Sequence, residues 1–258
     1  MNVFVFDIET VPDTDSGRAI YGLEGLSDKD CAEAMMQINR QKRNSDFLPH
    51  YLHKVVAISA VFRFKDTVKV WSLGDESSSE EELIKRFFDG IDRYSPVLVS
   101  WNGGGFDLPV LHYRALKYGI SAAQYWDTGE LDSGFKWNNY LSRYHARHTD
   151  VMDLLALYTG RANAPLDHIA TMLGYPGKMG MSGAKVWDSM LAGDIKAIRN
   201  YCESDVLNTY LVYLRFELMR GHIDDKTWQR EEDLLAGVLE HSEAEHLQEF
   251  FNLWRQAN

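Results

Sequence analysis

The chain has 258 residues, 45% of them hydrophobic and 12% aromatic, a composition that excludes extensive disorder and suits one large domain or a domain with an appendage. The formal net charge of −11 argues against a protein that coats nucleic acid through a broad basic surface, but not against one that grips a few terminal nucleotides. The two cysteines, Cys31 and Cys202, favour free thiols over a disulfide framework. The first residues lack a basic n-region, and no stretch reaches the roughly 18 apolar residues of a membrane span. We therefore expect a cytoplasmic protein without membrane contact.

The N-terminal part of the chain predicts a core strand followed by a helical insertion. Residues 3–8 (Val-Phe-Val-Phe-Asp-Ile) form an apolar run typical of a core strand. Thr10–Asp13 is expected to stop regular structure, because its proline lacks the ladder donor. Residues 14–53 are polar and mixed, and they predict an insertion with a helix around Asp28–Arg43.

The remaining elements alternate between strand and helix patterns. Lys54–Phe64 and Thr67–Leu73 predict an antiparallel hairpin that extends from the first strand. Residues 121–149 give no clear assignment. The later periodicity predicts one strand over Pro96–Trp101, a helical tail from Asp224, and helices over Ser79–Tyr94, Phe106–Lys117, Asp150–Tyr158, Leu166–Leu173 and Asp194–Arg220.

This order of elements predicts an α/β fold with a mixed sheet flanked by helices. We expect residues 1–220 to form one domain, with 14–53 as its insertion, and residues 221–258 to form a helical C-terminal extension. Phe250, Phe251 and Trp254 are the side chains that would dock this extension.

Two acids follow the first strand. Asp7 and Glu9 are two residues apart, so the alternation of a strand places both side chains on one face. Two carboxylates on one face lose hydration and repel each other unless a cation lies between them. A metal site explains the spacing, and so does an exposed strand end whose acids face water.

Two further acids occupy informative places. Asp107 follows a glycine turn at the start of a predicted helix, where a helix-capping role is the more common one. Asp205 lies on the apolar face of the longest predicted helix, which is costly for an unpaired acid, and Tyr201 shares that face one turn earlier. A Tyr–Asp hydrogen bond within the core is the alternative. If the four acids converge, oxygen ligands of this kind select Mg²⁺ or Mn²⁺ over zinc.

Three segments, taken in order, resemble the exonuclease motifs of the DnaQ-like (DEDD) superfamily. They are Phe6–Thr10 (Phe-Asp-Ile-Glu-Thr), Trp101–Asp107 (Trp-Asn-Gly-Gly-Gly-Phe-Asp) and Tyr201–Asp205 (Tyr-Cys-Glu-Ser-Asp). The Tyr-x-x-x-Asp form resembles the DEDDy branch, and the second motif resembles the proofreading domain of B-family DNA polymerases. Three more segments resemble stand-alone predicted exonucleases related to that domain: Asp150–Leu155, Leu166–Ala170 and Gly174–Lys178. The resemblance runs from residue 3 to about residue 216.

The resemblance implies an RNase H-like fold and a 3′–5′ exonuclease that releases 5′-nucleotides from single-stranded DNA, with two ions of Mg²⁺ or Mn²⁺ per site. It implies that Asp7 bridges both ions, that Glu9 and Asp205 hold the ion that activates water, and that Asp107 supports the second ion through water. It assigns Tyr201 to positioning the nucleophilic water. Thr10 would contact the terminal nucleotide by its backbone, and Asn102 and Phe106 would line the path of the strand.

Other interpretations remain open. The same site in an RNA-trimming exoribonuclease would look alike in sequence, since the discriminating 2′-OH contacts cannot be placed. A non-catalytic nucleic-acid-binding module is a further alternative, although the complete set of acids with Tyr201 argues against it. Trp137–His148 interleaves aromatic and basic residues, which suits either a single-strand contact or a solvated hairpin whose aromatics complete the core. For Lys178, an ordinary loop lysine is favoured over a phosphate contact. For Asp150 and Asp153, a helix-capping role is favoured over a role as metal ligands.

Overall fold

The computed structural model describes residues 1–257, whose sheet is mixed and five-stranded in the order β3-β2-β1-β4-β5. The strands are β1 (Asn2–Pro12), β2 (His53–Phe64), β3 (Thr67–Ser72), β4 (Val97–Ser100) and β5 (His148–Asp150). Strand β2 pairs antiparallel with both β1 and β3, whereas β4 runs parallel to β1 and to β5. The predicted α/β class with a mixed sheet is confirmed.

The helices cover both faces of this sheet. Within residues 1–257 they are α1 (Thr14–Tyr21), α2 (Asp28–Arg43), α3 (Glu80–Tyr94), α4 (Asp107–Tyr118), α5 (Ala123–Trp126), α6 (Val151–Leu155), α7 (Leu166–Met172), α8 (Val186–Leu191), α9 (Ile195–Met219), α10 (Asp225–Glu240) and α11 (Glu245–Ala257). Across this described range, no helix combines the length and apolarity needed to cross a membrane.

The alternation of β1 separates the core into two layers. Val3 and Val5 pack in the layer that contains α9, α10 and α11. Phe4, Phe6 and Ile8 pack in the opposite layer, with α3 and α4. Because successive side chains of a strand point to opposite faces, the odd-numbered residues of β1 face α9. That parity decides where the acids at the end of β1 point.

The predicted insertion between the first two strands is helical and has a small core of its own. Helix α2 covers the predicted residues Asp28–Arg43. Cys31, Met35, Leu48 and Leu52 are buried together, and both cysteines of the chain are free thiols, as predicted. The segment that returns to β2 is therefore fixed against the domain.

The end of β1 differs from the prediction, which stopped regular structure at Thr10–Asp13. The strand continues to Pro12, which pairs with His53. The parallel neighbour β4 pairs only with Val3–Val5, so β2 is the single partner of this part of β1. A proline is tolerated there because one side of the strand has no ladder to break.

The segment around Asp150 was also predicted wrongly. His148–Asp150 forms the edge strand β5, which the sequence did not reveal, and only Val151–Leu155 of the predicted helix Asp150–Tyr158 is helical. The Asp150 carboxylate accepts the Asp153 N–H and caps the helix, as its predicted capping role requires. Leu157 and Tyr158 adopt positive φ angles of 50° and 56°, which end the helix.

Residues 137–147 form no strand and therefore no hairpin. Tyr140 is buried and its hydroxyl donates to the Pro96 carbonyl at 2.6 Å, whereas Trp137 and Tyr144 are exposed. The segment thus contributes one ring to the core and presents others to solvent.

The C-terminal helices pack onto α9 and the sheet. Phe250 and Trp254 of α11 are buried in the layer that contains Val3 and Val5, and Phe251 is partly buried against it. A buried ion pair between Arg63 of β2 and Glu231 of α10 adds a second attachment. The docking residues predicted for the tail are thus in contact with the core.

A buried cluster around Arg114 joins the insertion to the helices of the opposite layer. The Arg114 guanidinium donates to Glu80 at 2.5 and 2.7 Å and also contacts Asp13. The backbone N–H of Val55 donates to Glu80 at 2.6 Å as well. All three charged side chains are almost fully buried. Arg114 neutralises Glu80, and it shares Asp13 with Lys117, whose Nζ lies 3.0 Å from the same carboxylate.

We expect Arg114→Ala to destabilise the protein by about 3–5 kcal/mol, because it leaves the buried Glu80 without its cation and Asp13 with Lys117 alone. The control Lys85→Ala removes an exposed pair with Asp89 on α3 and should change stability by about 0.3–0.5 kcal/mol. Urea unfolding monitored by circular dichroism measures both. Equal effects of the two substitutions would contradict the role given to the buried cluster.

Candidate active site

The first two acids stand on the face of β1 that meets α9. Asp7 and Glu9 continue the parity of Val3 and Val5, and Glu9 is buried whereas Asp7 keeps partial exposure. The pairing of β1 with β2 shifts register between Glu9 and Thr10. An irregularity of this kind redirects the chain immediately after the acids.

Helix α9 supplies the groups opposite these acids. Asp205 and Tyr201 are one turn apart, and the Tyr201 hydroxyl and the Asp205 carboxylate are close enough to interact electrostatically. Cys202 lies between them, and its buried thiol donates to Asp7, with Sγ at 3.4 Å from the backbone oxygen and 3.6 Å from Oδ2. The predicted Tyr–Asp contact therefore exists, and it lies at the acids of β1.

Asp107 joins the group from the other side of the sheet. It is buried as the first residue of α4, where a carboxylate also meets the positive end of the helix dipole. Its Oδ1 accepts the backbone N–H of Ile8 at 3.1 Å, which fixes α4 to the strand between Asp7 and Glu9. Asp107 therefore occupies the first turn of a helix, as the capping interpretation predicted, and also lies close to the other acids.

The turn before α4 is held by Asp150. Its carboxylate accepts the N–H groups of Asn102 at 2.9 Å and Gly104 at 2.8 Å. Asn102 has a φ of 65°, a conformation that asparagine tolerates better than most residues. Asp150 thus supports the turn that carries Asn102 and Phe106, in addition to capping α6.

The acids strongly perturb one another. Burial raises the pKa of Asp7 well above its ordinary value, and repulsion from the other three carboxylates raises it further. Burial, followed by Asp205 and Asp107, likewise raises the pKa of Glu9 well above the ordinary range. Burial raises the pKa of Asp107 to about 7 and that of Asp205 to about 6. Carboxylates in this state are stabilised when a cation joins them.

A cavity of about 310 Å³ opens at this group. Asp7, Asp107 and Asp205 line it, together with the predicted substrate residues Asn102 and Phe106. The other lining residues are uncharged, and the sequence predicted no substrate role for them: Ile8, Trp101, Met152, Ala164, Pro165 and Leu166. Trp101 Nε1 donates to the Ala164 carbonyl at 3.1 Å, which holds this apolar wall in place.

Thr10 lies beside the cavity rather than among its lining residues. Its hydroxyl is 2.9 Å from Nδ1 of His53, whose Nε2 lies 3.0 Å from the Leu48 carbonyl. Since a carbonyl only accepts, Nε2 carries the proton and Nδ1 accepts from Thr10. The threonine side chain is therefore held away from other partners, while its backbone stands next to Glu9.

Lys178 is a charged neighbour that the sequence did not assign to the site. Its positive charge lowers the pKa of both Glu9 and Asp205, against the dominant effect of burial. The loop that carries it is anchored, because Asn208 exchanges hydrogen bonds with Gly177 at 3.1 and 2.9 Å. The sequence signals for this residue were its glycine-rich surroundings and its place in the segment Gly174–Lys178, which resembles the related exonucleases.

The donor set is compatible with a divalent cation. Ligand atoms of Asp7, Glu9 and Cys202 lie within 4.8 Å of one another. Burial and the neighbouring acids raise the pKa of the Cys202 thiol, which keeps it protonated and leaves the carboxylates as the available ligands. Oxygen donors of this type suit hard divalent ions.

The sequence matches a family described as predicted 3′–5′ exonucleases related to the exonuclease domain of PolB, over residues 45–254. This range includes Asp107, Tyr201 and Asp205 and begins after Asp7 and Glu9. Two curated relatives are both named DNA polymerase 1. That of Sulfurisphaera ohwakuensis is 56% identical over 39 residues, 15% of this chain and 4% of the relative. That of Saccharolobus solfataricus is 38% identical over 69 residues, 26% of this chain and 8% of the relative.

Among solved structures, the family B DNA polymerase of Pyrobaculum calidifontis is similar with a TM-score of 0.48 and 18% sequence identity. That likeness covers 85% of this chain and 24% of the polymerase. The chain thus spans only a small part of the polymerases it resembles. The family match, in contrast, covers most of the chain, and this protein belongs to the family of predicted 3′–5′ exonucleases related to the exonuclease domain of PolB.

Proposed function

We propose that the protein hydrolyses single-stranded DNA from a free 3′ end and releases 5′-nucleotides, with two ions of Mg²⁺ or Mn²⁺ in its site. The observation that carries this proposal is the convergence of carboxylates from β1, α4 and α9 on one open cavity. DNA is favoured over RNA because the family is related to the exonuclease domain of PolB and the matched relatives are DNA polymerases.

Asp7, Glu9, Asp107 and Asp205 are the residues that would hold the ions, as in the DEDDy branch. When bound there, divalent ions would acidify the attacking water and stabilise the negative charge that develops on the phosphate oxygens. The protein contributes the geometry. The Ile8 N–H fixes Asp107, and the thiol of Cys202 orients Asp7.

Tyr201 acts as a positioning residue rather than a base. Burial, and then the charges of Asp205 and Glu9, raise the pKa of its phenol above the ordinary value, so the hydroxyl keeps its proton at neutral pH. A protonated phenol can hold a water by a hydrogen bond but cannot remove its proton. Its interaction with Asp205 places the hydroxyl beside a proposed metal ligand.

Lys178 completes the electrostatics of the proposed site. A bound phosphodiester would add negative charge next to the carboxylates. Lys178 is a cation close enough to lower the pKa of both Glu9 and Asp205, so it can offset part of that charge. Its side chain is exposed, and its backbone N–H donates to Asp167 at 2.7 Å. We propose that it contacts the phosphate of the terminal nucleotide.

The polarity of hydrolysis tests the proposal directly. Purified protein with Mn²⁺ or Mg²⁺ should shorten a 5′-labelled single-stranded oligonucleotide stepwise and release a labelled mononucleotide at once from a 3′-labelled one. DNA and RNA are run side by side, and Asp7→Ala is the inactive control. Internal cuts, or equal activity of Asp7→Ala, would sink the proposal; faster loss of RNA would support an exoribonuclease instead.

Tyr201→Phe should lower kcat by about 10²-fold, because the water loses its hydrogen-bonding partner, and should leave Mn²⁺ affinity nearly unchanged. Tyr213→Phe is the matched control. It removes a buried hydroxyl from the same helix, and that hydroxyl interacts with Glu217 instead of with the acids of the site. Single-turnover hydrolysis and calorimetric titration with Mn²⁺ separate the two effects. Loss of Mn²⁺ binding in Tyr201→Phe would contradict the positioning role.

Removing one of the mutually repelling carboxylates, or adding a cation, should raise the melting temperature of the protein. Asp7→Asn should raise the Tm of metal-free protein, by about 2–4 °C for each kcal/mol of repulsion removed, whereas Mn²⁺ should raise the Tm of the unmodified protein and much less that of Asp7→Asn. Glu249→Gln, which removes one exposed charge from α11, is the control and should behave as the unmodified protein. Differential scanning fluorimetry with and without EDTA gives the comparison. A lower Tm in metal-free Asp7→Asn would argue against the repulsion.

A further inference from the structure

An exposed aromatic ring lies next to the site, on the insertion. Phe47 has 60% of its surface exposed, although it is a large apolar side chain. Its ring packs against Phe106, with centroids 5.4 Å apart, and against His53 at 5.1 Å. Since Phe106 lines the cavity at the acids, Phe47 extends the aromatic surface from the cavity into solvent.

The backbone of Phe47 is fixed. Its carbonyl accepts from Asn39 Nδ2 at 2.8 Å, and its N–H donates to Ser45 Oγ at 3.1 Å. Asn39 is itself buried in α2 and also donates to the Ser45 carbonyl at 2.8 Å. The exposed ring is therefore held in one place by the insertion, which reduces the entropy that a ligand would have to remove.

The surroundings of Phe47 are tied to the predicted substrate residues. His53 contacts Phe106 edge-on at 5.0 Å and accepts from Thr10, so one imidazole positions both. Burial lowers the pKa of His53 to about 4, which keeps the imidazole neutral and able to accept. His50 Nε2 lies 2.9 Å from the Gly105 carbonyl and joins the insertion to the turn before Phe106.

A ring that only completed the core would be buried, as Tyr140 and Phe135 are. Phe47 instead stays mostly exposed and packs against a second aromatic ring, Phe106, which lines the cavity with the acids. Acidic surroundings repel phosphates, so binding energy for a strand has to come from uncharged contacts. Stacking of bases on aromatic rings supplies such energy and tolerates any sequence.

We propose that Phe47 is a stacking platform for the base of one of the last two nucleotides at the 3′ end of a single strand. The inference rests on the proposed function and adds a residue outside the motifs, which makes the insertion part of the substrate site.

The test is a double-mutant cycle between the ring and the base. Phe47→Leu keeps an apolar contact to His53 and Phe106 and removes the aromatic face, and Phe47→Trp keeps that face. Tyr51→Leu is the matched control, because Tyr51 is an exposed ring (40%) of the same insertion whose aromatic contact is Tyr113. Each variant is combined with oligodeoxynucleotides that are intact or carry an abasic site at the terminal, the penultimate or the seventh position from the 3′ end.

Binding is measured by fluorescence anisotropy of 5′-labelled oligonucleotides in an Asp205→Asn background that prevents hydrolysis, and KM and kcat are measured without that background. We expect Phe47→Leu to raise Kd and KM by about 5- to 150-fold, the effect of one base–aromatic stack, with little change in kcat. Phe47→Trp should restore both constants. The loss should vanish when the terminal or penultimate base is absent and persist when the abasic site is at the seventh position.

Three results would overturn the inference: a Phe47→Leu protein that binds as tightly as Tyr51→Leu, a Phe47→Trp protein that binds as weakly as Phe47→Leu, or a loss that is independent of the abasic position. Failure of the proposed function looks different. In that case the unmodified protein releases no nucleotide with Mn²⁺ or Mg²⁺, whether or not Phe47 contributes to binding.

Discussion

Repulsion among carboxylates at the end of β1 is the constraint around which the domain is arranged. Burial and mutual charge raise the pKa of Asp7 and Glu9 well above their ordinary values, so the acids would separate if their supports were mobile. Each acid is held by an element buried for other reasons. The parity of β1 sets Asp7 and Glu9, the Ile8 N–H fixes Asp107, and the apolar packing of α9 fixes Asp205. Stability elsewhere in the fold thus maintains an unfavourable arrangement that a bound cation would relieve.

A buried charge cluster away from the cavity helps to fix the elements that carry the acids. Arg114 joins Asp13, just after β1, to Glu80 at the start of α3, and it belongs to the helix that begins at Asp107. Glu80 in turn accepts the Val55 N–H near the start of β2. A displacement of α4 would therefore break a buried charge cluster as well as move Asp107. Arg114, seven residues after Asp107 in the same helix, thus couples the position of Asp107 to the start of α3 and the end of β1.

How much of this could be predicted from sequence depends on the range of the signal. The sequence predicted the bounds of β2, α2 and α9, and the start of β1, within one or two residues, because the periodicity of these elements is local. The acids were identified because alternation and helix faces place them, and the motif resemblance joined them. Strand β5 has three residues and no apolar run of its own, so only its pairing with β4 defines it. The apolar wall at Ala164 likewise depends on a contact made across 63 residues of sequence.

Lys178 and Phe47 were missed or undervalued for a further reason. Each lies in an irregular segment, and its position is set by a polar side chain of another element: Asn208 holds the loop of Lys178, and Asn39 holds the backbone of Phe47. Hydrolysis would use groups that the motifs specify, whereas contact with the strand would use segments that follow no periodicity. Two chains with the same acids can therefore differ in the ends they accept. Substrate preference in this protein should be sought in residues 45–53 and 174–183, which lie beside the acids and carry none of the four predicted metal ligands.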